Sequence, residues 1–88
     1  MPWFVKIETG IVPKKIFDQY VPQHTAYVRK LIDLGHEAKT GYWQNSEGGM
    51  LLFKADSYEE AKTIVEQDPL IKNGCVKYQL YQWCIVVE

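Results

Sequence analysis

EAKTGYWQNSEGGMLLFKADSYEEAKTIVEQDP, residues 37–69, decides how the whole chain is read. Glu37 to Gln44 and Gly49 to Ala55 are two runs of strand character flanking Asn45-Ser46-Glu47-Gly48, a short polar link ending in glycine, which is a hairpin pattern. Ser57-Tyr58-Glu59-Glu60 follows as a capping box, with Ser57 accepting from the N–H three residues on and Glu60 reaching back. A helix therefore starts there and runs to about Gln67. Asp68-Pro69 ends it, because the residue before a proline is pushed out of the helical region.

Working outward, Trp3 to Glu8 alternates aromatic and β-branched residues with Lys6 and Glu8, a strand pattern closed by Thr9-Gly10. Pro13 opens a helical stretch from Lys14 to Leu34, in which Pro22 is expected to break or restart the helix near Val21. Beyond it Tyr27, Val28, Leu31, Ile32 and Leu34 recur at helical spacing, and Gly35 stands where a C-terminal glycine belongs. Lys72-Asn73-Gly74 is a turn, and Cys75 to Val87 is an uninterrupted β-branched and aromatic run, a last strand. The order is β-α-β-β-α-β. The expected fold is α+β and ferredoxin-like: one domain over 1–88, a four-stranded antiparallel sheet with both helices on one face.

The other face of that sheet is predicted to be covered. A sheet wetted on one side alternates cleanly between apolar and polar, but the last strand carries Val76, Tyr78 and Leu80 on one side and Tyr81, Trp83 and Ile85 on the other. With 88 residues and nothing left over, a second copy packed sheet to sheet is the expected cover, giving a homodimer. The alternative is that the last strand overhangs the sheet, or that its outer aromatics are exposed singly.

Composition excludes several classes. Apolar residues are 47% of the chain and charged residues 24%, as in a folded globule. A formal net charge of -1 with scattered Lys and Arg offers no basic stripe, so no nucleic acid is expected. No stretch is long and apolar enough for a signal peptide or membrane span, which predicts a cytoplasmic protein with no membrane association. Cys75 and Cys84 on one strand would be roughly 30 Å apart at about 3.3 Å per residue, too far for a disulfide. Two histidines at opposite ends of the sheet and unpaired cysteines supply no metal-ligand spacing, so neither metal nor cofactor is expected.

In the expected topology one end of the sheet gathers the start of the first helix, the hairpin, the end of the second helix and the start of the last strand. His24 and Asp68 fall at that end, with Tyr42 and Trp43 beside them. An imidazole with a carboxylate on its second nitrogen suits general acid-base chemistry. From position alone a surface histidine and a simple helix stop are the competing reading. At the end of a helix Asp68 would also face the negative end of the macrodipole, which slightly disfavours its charge unless a cation lies nearby, and His24 is the candidate cation. His36, after the C-terminal glycine, is expected to meet the last helix carbonyls.

At these residues the chain resembles the YciI-like (YCII-related domain) family: His24, then Gly41, Ser57-Tyr58-Glu59-Glu60-Ala61-Lys62, Glu66-Gln67-Asp68-Pro69 and Gly74, in shared order and spacing. The resemblance implies a dimeric α+β barrel with a His-Asp centre, here His24 and Asp68, in a small-molecule cleft of the dimer; Tyr42 and Trp43, from their position beside the pair, are the expected pocket wall. A few members of that family dehydrochlorinate chlorinated hydroxyquinols. The chain departs from the pattern at Val21, where an Arg is common, at Tyr42, and at Tyr81-Gln82-Trp83; Lys14, Lys15 or Arg29 are the candidates to replace the missing anion anchor. Three readings compete: a cofactor-independent lyase or isomerase, a non-catalytic module binding a small ligand, and a purely structural dimerisation unit with no cavity.

Overall fold

The computed structural model describes residues 1–88. Its elements are β1 (Trp3–Gly10), α1 (Lys14–Asp33), β2 (Lys39–Tyr42), β3 (Gly49–Lys54), α2 (Tyr58–Glu66), α3 (Pro69–Lys72) and β4 (Val76–Trp83). The four strands form one sheet in the order β2-β3-β1-β4, every pair antiparallel. Val28 and Leu31 of α1 and Ala61, Ile64 and Val65 of α2 meet Phe4, Leu51 and Phe53 in one core, so both helices cover the same sheet face. Phe4 and Phe53 stack at the centre with ring centroids 6.0 Å apart.

The helix ends follow local chemistry. Ser57 Oγ accepts from Glu60 N at 3.1 Å, while Glu60 Oε1 reaches one residue further back than a strict box and accepts from Asp56 N. Gly35, at φ 90°, closes α1 in a Schellman turn: its N–H donates to Ile32 O and that of His36 to Leu31 O. The His36 ring donates through Nδ1 to Lys54 O at 2.7 Å, so it ties the end of α1 to the end of β3 rather than to helix carbonyls.

Three expectations are corrected. Pro22 does not break α1, which runs unbroken for 20 residues. Phe17 and Tyr20 are pinned to a small cluster around Leu70, Cys75 and Val76, while Val28 and Leu31 enter the main core, so both halves of the helix are held in line across the proline. Second, β4 ends at Trp83, and Cys84 to Glu88 continue without strand pairing. Third, the expected turn at Lys72-Asn73-Gly74 is preceded by a one-turn helix, α3, that takes in Lys72. No helix is long and apolar enough to cross a membrane.

The alternation in β1 is inverted from its simplest reading. Phe4, Lys6 and Glu8 are buried beneath the helices, whereas Trp3, Val5 and Ile7 lie on the uncovered face. The register sets Val5 beside Leu52 and Tyr81, and Trp3 beside Trp83. Val5, Met50, Tyr81, Gln82 and Trp83 line a shallow hollow of about 400 Å³ there, with Tyr81 and Trp83 half exposed.

Two adjacent glycines turn the hairpin back against the sheet. Gly48 holds φ 90°, a left-handed conformation costly for any side chain, and a β-carbon on Gly49 would run into the Gly41 carbonyl of β2. Gly49→Ala is expected to separate β2 from β3 and lower stability by at least about 2 kcal/mol, read from urea unfolding.

Candidate active site

His24 occupies the first core-facing position of a stripe that continues with Val28 and Leu31, so α1 points the imidazole inward, where its side chain is 9% exposed. Asp68 comes from the opposite side. Its extended backbone (φ -63°, ψ 130°), imposed by Pro69, makes it the N-cap of α3, and its Oδ1 accepts from Leu70 N at 3.0 Å. The two side chains meet: His24 Nδ1 lies 2.8 and 2.9 Å from the Asp68 carboxylate oxygens. A carboxylate only accepts, so Nδ1 carries the proton and the neutral ring presents Nε2 as its basic atom.

Two residues unassigned by sequence complete the network. Lys6, on the core face of β1 and wholly buried, donates from Nζ to Asp68 Oδ2 at 3.2 Å and lies 3.4 Å from Glu8 Oε2. Thr40 of β2 stands 3.3 Å from His24 Nε2 and donates its own hydroxyl proton to Met50 O at 3.2 Å. That hydroxyl suits both states of the ring. It can turn to donate to the neutral Nε2, or accept from the protonated ring while still donating to Met50. The alternation of β1 puts Lys6 and Glu8 on one face without saying which face is buried; Thr40 carries no signal, because a threonine in a strand is ordinary.

Burial alone would raise the Asp68 carboxyl. The hydrogen bond from His24, the Lys6 ammonium, the His24 charge and the Leu70 N–H together outweigh it and hold the group below the usual carboxylate range. The His24 ring and the Lys6 ammonium are thus the cationic partners that offset the negative end of α2, and the Leu70 N–H adds to them. Three residues after His24, Tyr27 donates to Ile64 O at 2.7 Å, and burial plus the Asp68 charge push its phenol up to about 12, keeping it protonated.

His24 and Thr40 open onto a cavity of about 960 Å³ whose walls also include Glu8, Phe17, Val21, Tyr42 and Trp43. Asp68, with no exposure, stays behind the imidazole. Tyr42 and Trp43 stand at the cavity as expected, Tyr42 mostly exposed at 82%. Arg29 does not: it is exposed and lies about 140° around the helix from His24, five residues on. Lys14 reaches the rim, while Lys15 does not line the cavity. The cavity lies on the helix side of the sheet, away from its uncovered face.

Fold and cavity together define a ferredoxin-like α+β domain with a histidine-carboxylate pair at the wall of a ligand-sized pocket. The sequence model of the YCII-related domain matches residues 8–84, a span holding all of Glu8, His24, Thr40 and Asp68, and the chain belongs to that family. Among solved structures, the chain is similar to the 5-chloro-2-hydroxyhydroquinone dehydrochlorinase of Burkholderia phenoliruptrix AC1100, bound to 2,5-dihydroxybenzoquinone. The TM-score is 0.74 at 18% identity, covering 93% of each chain. It is also similar to the de novo designed protein Ferredog-Diesel, with TM-score 0.64 at 9% identity over 93% of this chain and 85% of that one. These identities make both likenesses ones of fold. No curated protein matches the chain.

Asp68→Asn is expected to cost about 3 kcal/mol near neutral pH, because it removes the nearer of the two carboxylates paired with the buried Lys6 ammonium. The pH dependence follows from the lowered carboxyl: its stabilisation is complete above the unfolded value of about 3.9 and is lost as pH falls through the folded one. Unfolding followed from pH 7 to 2 should show a steep acid limb in the wild type and a flatter one in Asp68→Asn.

Proposed function

We propose that this chain is a cofactor-independent enzyme of the lyase or isomerase type, acting on a small molecule in the His24 cavity. The observation that carries this reading is a buried histidine tethered through Nδ1 to a carboxylate, its other nitrogen at the cavity wall beside a hydroxyl. His24 Nε2 takes a proton from the substrate as general base. Asp68 holds the ring in that tautomer and stabilises the imidazolium, and the Thr40 oxygen accepts the new N–H. The proton then returns to a different substrate atom, an isomerisation, or accompanies a leaving group, an elimination. Membership in the YCII-related family, together with a dehydrochlorinase of the same fold, supports small-molecule chemistry at this site.

A binding module without turnover is the second reading. Val21 favours it: this residue lines the cavity at the position where the family resemblance leads one to expect an Arg, so it offers no anchor for an anionic substrate. Lysines at the rim are poor substitutes, since Lys14 is exposed and paired with Asp18.

The protein is proposed to work in the cytoplasm as a homodimer joined through the uncovered sheet face. Its apolar residues, Val5, Leu52, Tyr81 and Trp83 among them, find no cover within the chain. The cavity on the opposite side would stay open in such a dimer. Sedimentation velocity should give a dimer for the wild type and a monomer for Trp83→Glu.

His24→Asn should lower the rate of any reaction found by screening hydroxylated and halogenated ring compounds by a factor of about 10² to 10⁴, with a small effect on KM. Nitrogen-15 NMR of the His24 ring should show the Nδ1–H tautomer in the wild type and a mixture in Asp68→Asn. An unchanged tautomer in that variant would remove the orienting role of Asp68, and binding without conversion across the screen would leave the binding module as the better reading.

A further inference from the structure

Every charged position on the uncovered face of the sheet is a lysine. The strand register puts Lys39 of β2 on that face beside Leu52, Lys54 of β3 beside Trp3, and Lys77 of β4 beside Thr9, while no Asp or Glu stands at an outward position of any strand. Lys54 is held by Glu37 and lies over the Trp3 ring, 4.8 Å from its centroid. Lys39 and Lys77 form no ion pair. Two such faces laid together would set cation against cation around an apolar contact, which is unfavourable. A dimer through this face therefore needs an acid from elsewhere in the chain.

The residues after β4 supply one. Cys84-Ile85-Val86-Val87-Glu88 leaves Trp83 without strand pairing, and Val86 and Val87 are 92% and 86% exposed. Neither this segment nor the hollow of about 400 Å³ lined by Val5, Met50, Tyr81, Gln82 and Trp83 finds cover within its own chain. Three β-branched residues followed by a carboxylate complement an apolar surface edged by lysines. Five extended residues reach about 16 Å, and the three spacings of a four-stranded sheet measure about 14 Å, so the segment is long enough to cross a partner's sheet.

We infer that residues 85–88 of one copy lie across the uncovered sheet face of a second copy, with Ile85, Val86 and Val87 against its hollow and the Glu88 carboxylate on Lys39 or Lys77. The inference rests on the proposed homodimer and adds the element that seals it. Two-fold symmetry makes the exchange reciprocal, so each contact occurs twice. It also removes from solvent a β-branched segment that, beside the free edge of β4, would invite aggregation in a lone chain.

Sedimentation velocity over a dilution series, at about 0.05 M and about 0.5 M salt, reads the dimer dissociation constant for the full chain and its variants. Deleting residues 85–88 should raise that constant at least about a hundredfold and Val86→Asp at least about tenfold, since burying one valine is worth roughly a factor of ten. Glu88→Lys should weaken the dimer roughly threefold to tenfold at the lower salt and less at the higher, and combining it with Lys39→Glu or Lys77→Glu should restore the affinity in one of the two cases. Residues 85–88 belong to neither core cluster, so circular dichroism of each tail variant should match the wild type. A dimer that survives the deletion but is broken by Trp83→Glu overturns the inference and leaves the homodimer standing. A wild type that stays monomeric up to about 1 mM removes both. Restoration by neither lysine reversal overturns the Glu88 pairing.

Discussion

Much of this molecule converges on the Asp68 carboxylate. It accepts from the His24 ring of α1, the Lys6 ammonium of β1 and the Leu70 amide of α3, so one buried anion ties a helix, a central strand and the α2–α3 junction together. Neither charge would be tolerable alone at this depth, because an unpaired buried ion costs several kcal/mol. The pairing therefore constrains geometry as well as energy. If α1 turned by one residue, about 100°, His24 would leave the carboxylate and Val28 would leave the core. The arrangement that packs the helix is also the one that aims the imidazole.

The sheet serves two environments at once. On the helix side β1 gives up apolar positions to Lys6 and Glu8, leaving Phe4 to fill the core against Phe53 and Tyr58. On the other side Trp3, Val5 and Ile7 join Met50, Leu52, Tyr81 and Trp83 in an apolar surface. Placing polar residues inward and apolar residues outward is unfavourable for an isolated domain of this size. It becomes consistent when the inner polar residues serve a pocket and the outer surface meets a partner.

Much of the fold was legible in the sequence. The hairpin link at 45–48, the Ser57 cap, Gly35 and Pro69 each act through backbone rules that need no distant neighbour, and these features located most of the strand and helix boundaries. Where local rules failed, tertiary contacts had prevailed. An interior proline costs a helix about 3 kcal/mol, but Phe17 and Tyr20 on one side of Pro22 and Val28 and Leu31 on the other hold a continuous α1. In β4 the run of strand-forming residues outlasted its partner: β1 begins at Trp3, paired with Trp83, and no strand lies beyond for Cys84 to join.

By itself the sequence determined the order of the four strands and two main helices, the single sheet, and that His24 and Asp68 lie toward one end of it; with α1 unbroken across Pro22, His24 stands midway along that helix and not in its first turns. Only the tertiary structure decided which nitrogen of the ring faces the carboxylate, that Lys6 and Glu8 turn inward, that Thr40 meets the other nitrogen, and that Arg29 turns away. Those outcomes depend on which face of each element is buried, and for β1 the two faces could be told apart only by what packs on them. Alternation along a strand separates two sets of residues; the surroundings decide which set is inside.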